Sequence, residues 1–326
     1  MESRYSSNIL QEYQRLFNMP MGYGSNYVNN NIMPFVINLV QESSKNEGLL
    51  EKLEFGEFQA SAESIFATTS INKDLFYFKV NNEVLNSDYS GFGQGVYYDG
   101  KTKVKKDIRL AQIIESAFHE VRHAKQFDLV YGNSITDISP LSIIYAKEFL
   151  VADTDYSWYS QKHESFYIEK EAELEGYRKT AEFVEKAIPD SEFSQRCERQ
   201  YIAAQKHFQP IFDRYFVDRN SIPMAHQIDA KLSQLSSERI TTAMQKYPVL
   251  RLIYNENGTK KTLEELREMR DSWMERCKNH TTDSIVVDGR QTTIASQIDS
   301  IFETIIKADP QLSSQFRKEV SDEMQQ

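Results

Sequence analysis

Cysteine is almost missing from this sequence. Cys197 and Cys277 are the only two, far apart and outside any metal-ligand spacing, so neither a disulfide framework nor a cysteine-based metal site is expected, and a reducing compartment suits the chain. Long apolar runs are missing as well: no stretch approaches the roughly 20 apolar residues of a membrane span. The opening MESRYSSNILQEYQRLF has neither the basic start nor the apolar core of a cleavable secretion signal. Basic charge is in deficit, with 38 Lys and Arg against 48 Asp and Glu and a formal charge of -10. That balance repels phosphate backbones, so nucleic acid is not an expected partner. What is present is a chain of 326 residues, 40% hydrophobic, long enough to enclose one large core or two modest ones. The expectation is a soluble protein, cytoplasmic unless another kind of signal exports it.

The pattern along the chain is mostly helical with interposed strands, an α+β class. SNILQEYQRLF and PFVINLVQES read as helices joined by the Gly- and Asn-rich GYGSNYVNNN, which makes residues 1–60 an N-terminal helical region. From Asp74 strands are expected: LFYFKV and EVLN flank Asn81-Asn82, and VYY and TKV flank Asp99-Gly100, a dipeptide suited to a tight hairpin. GFGQG at 91–95 lacks the following helix and lysine of a phosphate loop and reads as flexible backbone. A helix from about Asp107, its N-cap, to Val130 comes next. A loop with Gly132, Asn133 and Pro140 and the aromatic run YSWYSQKHESFY lead to a second long helix at about 164–187, closed by Pro189. Beyond it the reading is mainly helical, with Tyr201, Phe208, Phe212, Tyr215 and Phe216 on one apolar face. It includes a strand VLRLIY before an Asn257-Gly258 turn, a capping box of Thr262 with Glu265, a hairpin at Asp288-Gly289 and a closing helix IASQIDSIFETIIKA. The expected regions are therefore 1–60, 61–190 and 191–326.

Chemistry is concentrated in ESAFHEVRHAKQ, residues 115–126. At about 100° per residue, Leu110, Ile113, Ile114, Ala117, Val121 and Ala124 gather on one stripe, while His119 and His123 fall nearly opposite, with Gln112 and Ser116. Residues four apart share a helix face, so both imidazoles can reach one ion at about 2.0 Å. Glu120 lies about 100° around from His119, off the ion and free to hold a water and take its proton as it attacks a carbonyl. The competing reading is a solvated polar face that happens to carry these letters.

A catalytic zinc site takes three protein ligands and one open position. The second long helix, FYIEKEAELEGYRKT, supplies candidates: Glu171 is the chosen ligand, Ala172 lets the helices approach, and Glu175 is placed to accept the spare N–H of a ligand histidine. Glu169 and Glu173 compete, but Glu169 lies roughly 200° around from Glu171, so the two cannot serve one ion. Donors for a developing oxyanion are sought in Tyr167, one turn before Glu171, and in His226 within IPMAHQIDA. Both fit structural roles more readily, as do His163, His207 and His280. The run with Tyr156, Trp158 and Tyr159 either packs a loop or walls a cleft.

HEVRH at 119–123 with EAELE at 171–175 resembles the gluzincins, thermolysin-like zinc metallopeptidases whose HExxH helix is joined by a glutamate from a later helix. The likeness covers residues 107–180, and no HxxGxxH continuation of the metzincins follows His123. It implies a zincin-like core with a small sheet, one zinc ion held by His119, His123 and Glu171, Glu120 as base, Glu175 behind the ligands, and a protein or peptide substrate. By analogy it also admits an effector protease delivered into a host cell. A binding protein with a degenerate motif, or a hydrolase of non-peptide amides, are the alternatives.

Overall fold

A computed structural model describes residues 5–20, 25–49, 53–58, 67–72, 75–81, 106–131, 138–217, 222–287 and 290–323. The fold is mostly helical with two small sheets. Helix α1 (Ser7–Asn18) starts at Ser6, whose hydroxyl accepts from the amide of Ile9, and α2 (Met33–Asn46) continues a π-helical turn, Val28–Ile32. Strands β1 (Leu53–Phe58), β2 (Ala67–Asn72) and β3 (Leu75–Asn81) form one sheet in the order β1-β3-β2. In it β1 pairs with β3 in parallel and β2 with β3 antiparallel, so that Phe55 and Thr69 flank Phe78. The strand expected at LFYFKV is β3. β1 replaces helix at the end of the first region, and the pairings expected around Asn81-Asn82 and Asp99-Gly100 fall outside the described residues.

The motif lies on α3 (Lys106–Val130). The helix opens at Lys106, so Asp107 falls inside its first turn. α4 (Ser142–Thr154), the short α5 (Tyr156–Lys162) and α6 (Tyr167–Ala187) follow. α7 (Glu192–Val217), α8 (Pro223–Leu232), α9 (Ser237–Lys246) and α10 (Leu263–Arg276) come next, then the hairpin β4 (Ser284–Val287) with β5 (Arg290–Thr293), α11 (Ile294–Lys307) and α12 (Pro310–Glu323). VLRLIY is a 3-10 turn, Pro248–Leu252, with one bridge from Tyr254 to Lys260 and no strand. No helix among the described residues is long and apolar enough to cross a membrane.

The chain divides into two compact units, each built from separated stretches: 1–125 with 170–208, and 126–169 with 209–326. The first unit is centred on Phe183, whose ring meets Tyr5 and Tyr13 edge-on at 5.1 and 5.4 Å. Against it packs the stripe expected of α3: Leu110, Ile113, Ile114, Ala117 and Val121 are all buried, with Phe118 and Ala111 beside them. Burying each large side chain of this kind stabilises by about 1.5–3 kcal/mol. The second unit buries a run of ten residues of α4, Ser142–Val151, together with faces of α8, α9 and α11. In it Gly258 holds φ at +79° while its α-carbon presses on Ser237, whose carbonyl oxygen would lie 2.2 Å from any Cβ. Thr262 and Glu265 form the expected capping box.

Candidate metal centre

Sequence places the two imidazoles on α3, and packing fixes the direction in which they leave it. With Ala117, Val121 and Ala124 buried, the helix cannot rotate without exposing its apolar stripe. His119 is half-buried and His123 is 9% exposed. Their Nε2 atoms stand 2.9 Å apart, with the rings inclined at 83°. An ion held tetrahedrally at about 2.0–2.1 Å from two nitrogens separates them by about 3.3 Å, so this pair already converges as a chelate must.

The third donor comes from the first turn of α6. His119, His123 and Glu169 each offer an atom, all within 4.8 Å of one another. Two imidazoles and one carboxylate suit a single divalent ion of the zinc type and leave room for a fourth ligand. No protein-family model, curated protein or solved structure matches the chain. The donor set therefore stands on its own chemistry. His119-Glu120-x-x-His123 with Glu169 is the arrangement of an HExxH zinc metallopeptidase site, and its order, two histidines on one helix and a glutamate from a later one, agrees with the gluzincin pattern.

Glu169 takes the place expected of Glu171, and Arg122 is the reason. The Arg122 guanidinium grips Glu171 through both carboxylate oxygens, Nε at 2.8 and 2.9 Å and one terminal nitrogen at 2.5 Å. A planar fork matched to a carboxylate engages both of its oxygens, and here it commits Glu171 to the pair. On α6 the two glutamates point in different directions, and Tyr159 of α5 donates its hydroxyl to Oε1 of Glu169. Sequence reasoning assigned no such role to Tyr159. The aromatic run is mainly packing: Trp158 and Tyr159 meet Phe166 edge-on at 5.5 and 4.9 Å, and Lys231 lies 4.7 Å over Trp158. Tyr156 stands 71% exposed.

The other expected site residues are not members of the three-donor group. Glu175 is bound by Arg178 at 2.6 and 2.7 Å and faces Lys179 at 3.6 Å. Burial opposes ionisation of Glu175, but these cations overcome it and hold the carboxyl below the usual range. Tyr167 is 6% exposed, with its ring among Tyr145, Phe212 and Tyr215. His226 is exposed on α8, outside the three-donor group. Glu120 is half-buried, one position beyond His119.

One turn along α3 from His119, Glu115 meets α6. A Cβ on Gly176 would lie 3.1 Å from the carbonyl oxygen of Glu115, so a glycine is what lets the helices approach here. Since Arg122 pairs with Glu171 and Glu115 with Gly176, α3 and α6 run antiparallel. Burial pushes the Glu115 carboxyl up to about 8, and the negative charge of Glu173 adds to the shift. Glu173 itself accepts from the Tyr177 hydroxyl at 3.2 Å.

A proton is therefore retained on folding between the ordinary 4.5 and about 8. Its stabilisation is complete below pH 4.5 and is lost as pH rises toward 8. Glu115 keeps part of its surface in solvent, and water screening narrows this window and the total change across it, while the slope inside it is limited to one proton, about 1.4 kcal/mol per pH unit. Glu115→Gln is expected to gain on the native protein as pH climbs through this window, in urea titrations of the metal-free forms. Parallel curves for the two proteins would remove Glu115 as the group responsible.

Proposed function

We propose that this chain is a zinc-dependent endopeptidase acting on a protein or peptide substrate. The convergence of His119, His123 and Glu169 beside Glu120 supports this reading most directly. A zinc ion in this set supplies Lewis acidity, polarising a carbonyl and bringing the pKa of water toward about 7. Glu120 then accepts the proton of the attacking water and returns it to the departing amine. Its position next to His119 on the helix, about 100° away from the ligand direction, keeps its carboxylate off the ion. Glu169 is held for its task by the Tyr159 hydroxyl. The oxyanion donor is sought among groups that substrate binding brings close, with Tyr167 and His226 the candidates named by sequence.

The two cysteines, Cys197 buried and Cys277 half-buried, suit work in a reducing compartment. That compartment is the cytoplasm of the producing cell or of a host into which the protein is delivered. The test is metal content followed by cleavage. The purified protein is expected to carry about one zinc per chain and to cut members of a peptide library, with mass spectrometry reading the products, and a chelator is expected to stop it. Zinc-loaded protein that leaves every peptide intact would redirect the site to non-peptide amides, and protein without metal would withdraw the enzyme reading.

A further inference from the structure

We propose that Glu148 and Gln126 are positioning residues for the metal centre, holding the first turn of α6, from which Glu169 projects. The inference rests on the metal-binding reading and deepens it. α6 begins without a local cap: its N-cap position is Phe166, which has no side-chain acceptor. The first amides of a helix lack helical partners and must find others. Here they find Glu148, from α4. Its Oε1 accepts from the amide of Tyr167 at 3.1 Å and its Oε2 from the amide of Ile168 at 2.9 Å, while the Tyr215 hydroxyl donates to Oε1 at 3.1 Å.

Glu148 is fully buried, and its two carboxyl oxygens face these donors at the positive end of α6. The carbonyl of Ile168, which forms the peptide bond to Glu169, is held separately. The fully buried Gln126 donates to it through Nε2 at 2.9 Å. Gln126 lies seven residues beyond His119, about 20° from it around the same helix. One helix thus carries two ligands and also, through Gln126, grips the backbone that presents the third. Glu148 holds the Phe166–Tyr167 and Tyr167–Ile168 peptides by their N–H groups, and Gln126 holds the next one, Ile168–Glu169, by its C=O.

The chemistry that follows is preorganisation. A chelate whose third arm is already placed binds without ordering it, and outer partners of metal ligands typically contribute 10–100-fold in affinity. A cap that only stabilised the helix would lower the melting temperature and leave affinity alone. The experiment is zinc titration against a competing chelator for wild type, Gln126→Met, Glu148→Gln and Tyr215→Phe, with melting of each metal-free form.

Gln126→Met and Glu148→Gln are expected to weaken zinc by about 10–100-fold, and Tyr215→Phe by less. Combined with Glu169→Gln, Gln126→Met is expected to cause no further loss, because the arm it positions is gone. Affinities within about threefold of wild type in the folded variants would overturn the proposal. So would an equal loss in the Glu169→Gln background, which marks a general effect. Should Glu148→Gln fail to fold, Gln126→Met and the double variant decide. Absence of zinc binding by the wild type in the same titration overturns the metal reading itself and this proposal with it, an outcome distinct from zinc-binding variants that match wild type.

Discussion

Glu120→Gln is expected to keep zinc at wild-type stoichiometry and to lower kcat/KM on a cleaved peptide by about 10²–10⁴-fold. The amide preserves the size of the side chain and its place on α3 but cannot take a proton from water at neutral pH. Metal retention follows because the three donors are His119, His123 and Glu169, none of which is altered. The pairing of the two readouts gives the test its force: loss of activity with loss of zinc would indicate a damaged site, and loss of activity alone indicates a missing base. Cleavage by Glu120→Gln at more than about a tenth of the wild-type rate would exclude Glu120 from that role.

Local signals in the sequence were legible, and those that depend on a distant partner were not. The helix of the motif, its buried stripe, the Thr262–Glu265 cap and the β4–β5 hairpin each rest on residues within a few positions of one another. α4 carries no helical period in its sequence because SIIYAKEFLV is buried on ten consecutive positions, which erases the amphipathic pattern that reveals a helix. VLRLIY has the composition of a strand, but Pro248 opens it and its single bridge is Tyr254 to Lys260. The two compact units are each assembled from separated stretches of chain that change over within α3 and α6, points no local signal marks. At the metal centre the imidazoles were readable from spacing. The choice among Glu169, Glu171 and Glu173 was not, since it turns on which acid Arg122 claims, a pairing across 49 positions.

That choice yields the second large effect. A four-ligand zinc site is worth about 10–16 kcal/mol, or roughly 3 kcal/mol per ligand, so Glu169→Gln is expected to weaken zinc by about 10²-fold or more. Glu171→Leu is expected to act differently. It removes the carboxylate that chelates the Arg122 guanidinium where the pair is 11% and 18% exposed. Because Glu47 and Glu175 also feel the Arg122 charge, the loss of stability is expected to fall below the cost of about 3–5 kcal/mol for a fully buried pair broken from one side. Adding Arg122→Met removes the excess positive charge, and apolar replacement of a whole buried pair is often close to neutral. The double variant is therefore expected to recover most of the stability and to bind zinc within about tenfold of wild type. If Glu171 were itself the ligand, zinc would be lost in the single and the double variant alike, while Glu169→Gln would bind normally. Chelator competition and melting on the same four proteins separate the two assignments, because only one of them lets affinity survive the removal of Glu171.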